Sequence, residues 1–243
     1  MSVKNVLFVN GTPDDGSVKI IKIKENGAPV LLYTGGANLF EHVKSDKFAK
    51  SMLILDANDK QDIKINKSSV VFNQISDADT HKKTLIKMKN MHKFFLKDAI
   101  LLNHPANILK TTRDGVYALL KNIERLHVPK TVKIQPKSHL DVYKAIKKER
   151  FDLPVIFRQA GDHGGISTLL IKDVNEMFHN FALDGREYYL TQYFERSNNG
   201  LYSKYRLVVV DGEVYLRHVI FSKNWISINV ATKQILHPRF ESK

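Results

Sequence analysis

Arg158 ends the apolar run Leu153-Pro154-Val155-Ile156-Phe157, and Gln159-Ala160-Gly161-Asp162-His163-Gly164-Gly165 follows at once. A cation at a strand end beside a loop of three glycines gathers a guanidinium and several exposed main-chain N–H groups around one small space. A polyphosphate needs such a space. Arg158 would neutralise a phosphate through charge-assisted bonds, with His163 assisting from the loop. The plainer alternative is a rim arginine paired with a nearby acid above a hairpin turn. A glycine loop alone does not decide between the two.

Two further segments carry polar groups in useful positions. Tyr189-Leu190-Thr191-Gln192-Tyr193-Phe194-Glu195 reads as a strand running into a connector. The connector, Gln192, Tyr193, Phe194 and Glu195, would offer a main-chain donor and acceptor to an adenine edge and a carboxylate to a ribose hydroxyl. On this segment alone, an ordinary half-buried strand with a polar exit is the favoured reading. Around the turn Asp211-Gly212, Arg206 and Arg217 fall on the two arms of one hairpin. Converging on a cleft, they would hold a γ-phosphate and a substrate carboxylate. An exposed sheet face studded with arginines is the competing reading.

Several chemistries are excluded. The chain has no cysteine, which removes disulfides, thiolate metal sites and cysteine nucleophiles. The histidines show no metal-ligand spacing, and His42, His92 and His127 read as ordinary helix-associated residues. There is no Walker loop, no dinucleotide fingerprint and no Gly-x-Ser-x-Gly. No apolar run approaches a membrane span, and the start is too short and strand-like for a signal peptide. A cytoplasmic protein without a membrane partner is expected. The net charge of +13 invites a nucleic-acid reading, but 29 of the 38 basic residues are lysines, scattered as in Lys82-Lys83, Lys87, Lys89 and Lys93. Base readers favour arginine forks interleaved with aromatics. Charge concentrates in residues 101–153, with eleven basic residues against five acidic, and this serves a small anion as well as a nucleic acid.

The elements that must position these residues fall into three parts. Residues 1–102 alternate apolar runs with amphipathic stretches: strands are expected at Val3–Val9, Val30–Tyr33, Met52–Leu55, Val70–Phe72 and Ile100–Leu102, and helices at Phe40–Lys50 and His81–Leu96. In the second helix Leu85, Met88, His92 and Phe95 share a face. Such alternation predicts a parallel α/β layer. Residues 103–153 hold a helix capped at Thr112, with apolar positions Val116, Leu119, Leu120, Ile123 and Leu126, then an extended Val128–Val132 and a helix over Leu140–Lys148. Residues 154–243 are strand-rich: Val155–Gln159, Ser167–Ile171, Tyr188–Phe194, Tyr205–Val210, Val214–Ser222 and Trp225–Val230, with a helix at Val174–Leu183. The fold class is therefore α/β followed by α+β with antiparallel sheet.

The order of these motifs resembles the ATP-grasp superfamily, in particular its glutathione-synthetase-like and glutamate-ligase-like branch. The likeness rests on Asn103-His104-Pro105, Thr112-Arg113-Asp114, Val128-Pro129-Lys130-Thr131, Pro154-Val155-Ile156-Phe157-Arg158, the glycine loop, Gln192-Tyr193-Phe194 and Tyr205-Arg206-Leu207-Val208-Val209. It covers residues 100–222 and extends more weakly into the preceding α/β domain. The resemblance implies ATP held between two α+β lobes, with Mg2+ bridging its phosphates. It implies a carboxylate phosphorylated to an acyl-phosphate, which an amine or thiol then attacks; the partners would be small-molecule or peptide carboxylates and amines. By position, Arg158 replaces the usual phosphate-contacting lysine, residues 161–165 form the loop over the phosphates, Gln192 to Glu195 form the adenine hinge, and Arg206 lies near the transferred phosphate. Two departures stand out. Gly115 occupies a position where the family usually has lysine, so Arg113 would have to compensate. After Asp211 the only carboxylates are Glu213 and Glu241, with no Glu-x-Asn pair to ligate magnesium. Three readings follow: a ligase, a non-catalytic nucleotide-binding module, and a basic interaction protein.

Overall fold

The computed structural model describes residues 4–32, 35–36, 39–40, 42–43, 47–59, 68–163, 165, 167–173, 175 and 178–226. They belong to two compact units, Met1–Val128 and Pro129–Lys243. No helix among the described residues is long and apolar enough to cross a membrane.

The first unit contains β1 (Lys4–Gly11), β2 (Lys19–Ile23), β3 (Pro29–Leu32), β4 (Phe48–Leu55), β5 (Val70–Asn73), α1 (Lys82–Phe95), β6 (Ile100–Leu102), α2 (Pro105–Ile108) and α3 (Arg113–Leu120). Its main sheet is parallel throughout, in the order β4-β1-β5-β6. Val6, Leu7, Phe8 and Val9 form an unbroken buried run in β1, as a strand covered on both faces requires. On one face Leu85, Met88 and Met91 of α1, three residues apart, pack on Leu7, Val9, Leu55, Val71 and Ile75. On the other, Phe8 stacks on Phe72 at 5.7 Å and meets the edge of Phe40 at 5.5 Å.

Helix α1 borrows its cap. His81 at the N-cap makes no side-chain bond to it, and Asp14 from the loop after β1 takes the role. The Asp14 carboxylate accepts from the main-chain N–H of Lys83 at 2.8 Å and of Thr84 at 3.1 Å, and lies 3.1 Å from the Thr84 hydroxyl. The place where an anion would sit at this helix end is therefore filled by the protein itself. Thr84 is fully buried, so Asp14→Ala strands its main-chain N–H, while its hydroxyl keeps the bond it donates to Thr12 O at 3.1 Å. The variant is expected to lose about 2–3 kcal/mol in urea unfolding. A loss below roughly 0.5 kcal/mol would mean that other groups hold the helix end.

The second unit contains β7 (Thr131–Ile134), α4 (His139–Lys148), β8 (Val155–Gln159), β9 (Thr168–Ile171), β10 (Tyr188–Gln192), β11 (Tyr202–Val210) and β12 (Glu213–Ser222). Strands β7-β10-β8-β9 form an antiparallel sheet, and β11 and β12 form a separate hairpin around Asp211-Gly212, both at positive φ. Val142 and Ile146 of α4 pack with Val155, Phe157, Ile171, Tyr188 and Leu190 on one face of that sheet. The mixed α/β architecture is the one expected, with the parallel layer first and antiparallel sheet after it.

Three expected elements differ. The described residues of Phe40–Lys50 are not helical: β4 begins at Phe48 and pairs with β1 over eight residues. Lys50 Nζ there satisfies the carbonyls of Phe40 at 2.7 Å and Val43 at 2.9 Å, so long-range pairing overrides the local pattern. The described residues of Val174–Leu183 are not helical either. Phe178 and Phe181 flank a turn closed by the Phe181 N–H donating to Phe178 O at 2.9 Å, and both converge on Phe157 at 5.2 and 5.1 Å. Helix α3 stops at Leu120 rather than running to Leu126; bonds from Ile123 to Leu120 and from Leu126 to Ile123 tighten the chain, and Arg125 has φ 63°. Of the strand expected at Trp225–Val230, Trp225 and Ile226 lie in a bend and the rest lies outside the described residues.

Candidate functional site

The antiparallel sheet has a second face, set by the period of two along each strand. With Val155 and Phe157 pointing into the core, Ile156 and Arg158 point away from it. The register carries this across the sheet in two rows: Thr131, Thr191, Ile156 and Leu170, and beside it Lys133, Tyr189, Arg158 and Thr168. The first row is held by the Thr131 and Thr191 hydroxyls at 3.1 Å. The second is polar and cationic. Lys133 Nζ lies 5.3 Å over the Tyr189 ring and 2.8 Å from Glu187 Oε2. Arg158 Nη2 donates to the carbonyl of Asp162, which folds the loop after β8 back over the strand that leads into it. The Thr168 hydroxyl, directly opposite Arg158, is buried and has no hydrogen-bond partner among the described residues.

The loop itself is anchored at both ends. Gln159 N–H donates to Ser167 O and Ala160 N–H to Glu187 O. Gly161 and Gly165 have φ of 77° and 83°, a region that side chains resist, so these two glycines are required by the path of the chain. His163 is exposed on the loop. Gly164 lies outside the described residues.

After β10 the connector is tightly tied. Gln192 Nε2 donates to Asp152 O at 2.8 Å, and its Oε1 accepts from Asp152 N–H at 3.2 Å, so this side chain is committed to the turn before β8. Glu195 accepts from Tyr193 OH at 2.5 Å, from Tyr202 OH at 2.9 Å and from Ser197 N–H at 2.9 Å. The Tyr193 hydroxyl and the Ser197 N–H hold the Glu195 carboxyl down at about 2, so it stays ionised at any ordinary pH. Burial, and then the bond to Glu195, pushes the Tyr193 phenol well above its usual range. Trp225 meets Tyr193 edge-on at 5.7 Å, and Phe194 is exposed. Tyr193, Glu195 and Tyr202 thus pin the end of β10 to the start of β11.

On the hairpin, Arg206 is paired with His218 and Leu207 with Leu216, so Arg217 is the extra residue of a β-bulge beside Arg206. Both arginines are exposed, and neither has a carboxylate partner among the described residues. Arg113 opens α3 in the first unit and is exposed too. At Gly115 a Cβ would sit 2.4 Å from Lys110 O and 2.8 Å from Thr112 Oγ1. The local backbone leaves no room there for the lysine that relatives of the resembled type carry. Among the described residues no group of three or more His, Asp or Glu lies together as metal ligands would.

Reading the sequence passes over Lys133 and Thr168. The signal for Lys133 is the alternation in Thr131-Val132-Lys133-Ile134, which puts it on the face opposite Val132 and Ile134. Thr168 becomes visible only with the pairing of β8 and β9, which no local pattern encodes.

No family model and no curated protein matches the chain. Solved structures do. The carboxyaminoimidazole ribonucleotide synthase of Aspergillus clavatus, complexed with ATP, matches with a TM-score of 0.55 and 10% identity over 93% of this chain and 56% of its own. The N5-carboxyaminoimidazole synthetase of Staphylococcus aureus, complexed with ADP, gives 0.52 and 13% over 93% and 56%. The VanG D-Ala:D-Ser ligase of Enterococcus faecalis gives 0.52 and 12% over 90% and 69%. The chain thus spans just over half the length of the two synthetases. These are ATP-grasp enzymes, and the fold of the chain is the ATP-grasp fold.

Proposed function

We propose that the protein binds ATP on the polar face of the β7-β10-β8-β9 sheet and acts as an ATP-dependent carboxylate–amine or carboxylate–thiol ligase. The observation that carries this reading is the pairing of Arg158 with the unsatisfied, buried Thr168 hydroxyl beneath the glycine loop. A cation, a free hydroxyl and a loop of main-chain N–H groups suit a phosphate chain. In this reading Arg158, Thr168, Gly161, His163, Gly164 and Gly165 contact phosphates, and Lys133 adds a second cation. The main chain of Tyr193 to Glu195 reads the adenine edge; Gln192 helps by fixing the turn before β8. Glu195, held anionic, accepts from a ribose hydroxyl.

The chemistry assigns the exposed arginines. A substrate carboxylate oxygen attacks the γ-phosphorus and ADP leaves, giving an acyl-phosphate; an amine or thiol then attacks the acyl carbon and expels phosphate. Charge builds on the transferred phosphoryl group in the first step. Arg206 would stabilise it while Arg217, displaced by the bulge, holds the carboxylate. Mg2+ belongs to the chemistry that the resemblance implies, but the carboxylates among the described residues do not form a site that fits it. A cytoplasmic location, in keeping with a chain without cysteine, is part of the same reading.

Calorimetric titration of ATP into the purified chain, with and without magnesium, tests the proposal. Micromolar, magnesium-dependent binding followed by phosphate release with amino acids or short peptides is the expected result. The lack of a carboxylate cluster among the described residues favours one second reading, a nucleotide-binding module without catalysis. Binding that ignores magnesium, without phosphate release, would select it. Absence of binding at millimolar ATP would overturn both.

A further inference from the structure

The hairpin β2–β3 in the first unit carries a composition that the ligand site does not explain. All five residues of β2 are exposed, among them Ile20 at 61%, Ile21 at 58% and Ile23 at 67%. The lysines Lys19, Lys22 and Lys24 alternate with them and are exposed as well. None of the three has an acidic partner among the described residues. The register pairs Lys22 with Val30 on one face and Ile23 with Pro29 on the other, and across the bulge Lys19 shares the face of Lys22 and Ile20 that of Ile23. Ile21 is the extra residue of a bulge between them. The ribbon therefore has an isoleucine face and a lysine face, with β2 pairing only with β3 among the described strands.

Isoleucines this exposed on a short ribbon are costly in water unless something covers them. Charge narrows the choice of cover. A second copy laid along β2 would bring Lys19, Lys22 and Lys24 against their own counterparts in a chain of net charge +13, and lysines on an open edge are how proteins prevent such pairing. A nucleic acid would use the lysines and leave three isoleucines in water, and the strand carries neither arginine nor aromatic side chains to grip bases. A folded acidic partner covers one face of a ribbon, whereas here side chains on both faces are exposed. A fluid interface can surround both, taking up isoleucines while lysines reach its charged headgroups.

We infer that the β2–β3 hairpin is a peripheral docking element for an anionic lipid surface, inserting Ile20, Ile21 and Ile23 while Lys19, Lys22 and Lys24 engage lipid phosphates. It refines the expectation of no membrane partner: the chain shows no membrane-crossing helix among its described residues, and this element lies on a surface instead. The inference stands apart from the nucleotide site.

Flotation of the full chain with vesicles of phosphatidylcholine, with and without about one-third phosphatidylglycerol, tests it. Binding is expected to the anionic vesicles only and to weaken as salt rises. Replacing Ile20, Ile21 and Ile23 together by Ser leaves the net charge intact and is expected to lower vesicle affinity roughly tenfold or more. Replacing Lys19, Lys22 and Lys24 by Glu should abolish binding. Melting temperatures and ATP titration of each variant report whether the rest of the chain is intact. Undiminished vesicle binding by the folded serine variant would overturn the inference, leaving only the general charge of the chain. Absence of wild-type binding at low salt would overturn it too. So would a serine variant that turns a dimer into a monomer, or a wild-type chain that prefers a homopolymer RNA to the anionic vesicles.

Discussion

Phe157→Ala is expected to cost about 3–5 kcal/mol and to bring the urea midpoint of the second unit down sharply. Phe157 is fully buried in β8, an inner strand of its sheet. Its ring stacks on Tyr188 at 4.6 Å and meets the edges of Phe178 and Phe181 at 5.2 and 5.1 Å. Truncation removes the centre of this cluster, and the three remaining rings cannot close onto a methyl group without moving the backbone that carries them. Such aromatic pairs also contribute beyond the area they bury. Against a total stability of about 5–15 kcal/mol, the loss is a large fraction. Phe157→Leu, which keeps most of the volume, should cost about 1–1.5 kcal/mol. Urea unfolding followed by tyrosine fluorescence and circular dichroism measures both. A loss under roughly 1 kcal/mol for the alanine variant would show that this cluster is not the core of the unit.

Arg158→Ala is expected to weaken ATP binding by roughly 10- to 100-fold, the value of a charge-assisted phosphate contact. The side chain points away from the core, so the melting temperature should fall little. The guanidinium also ties down the Asp162 carbonyl, and the alanine variant frees the loop as well as removing the charge. Arg158→Lys separates the two effects, because an ammonium keeps the charge and loses the fork. It should retain most of the affinity. Titration of ATP into both folded variants gives the answer. Wild-type affinity in the alanine variant would remove Arg158 from the site, while equal losses in both would assign its role to the loop rather than to charge.

What could be read in advance depended on whether a segment's partner was local. Val155–Gln159 and the Asp211-Gly212 turn were legible residue by residue, because an apolar run and a two-residue turn carry their own signal. Helix α1 was legible from the spacing of Leu85 and Met88, but its cap was not: Asp14 lies about seventy positions upstream. Strand β2 escaped notice because Lys-Ile-Ile-Lys-Ile has no clean period of two, and the bulge at Ile21 is why. Phe48–Lys50 was misassigned because its strand is made by β1 rather than by its own residues. In the candidate site Arg158 and the glycine loop stood out by type, whereas Thr168 acquires meaning only from the strand beside it. Gln192 was legible as part of the connector, but its fixed bonds to Asp152 were not.

The alternation along β8 makes it intolerant of insertions and deletions. A single residue gained or lost just ahead of Val155 would advance the strand by one place and exchange its two sides. The Arg158 guanidinium would then be driven among Phe178, Phe181 and Tyr188, and the Phe157 ring would be turned out beneath the glycine loop. Stability and ligand affinity would fail in the same event. Length variation among homologues should accordingly be absent from the approach to β8 and should accumulate in stretches where no register has to be kept.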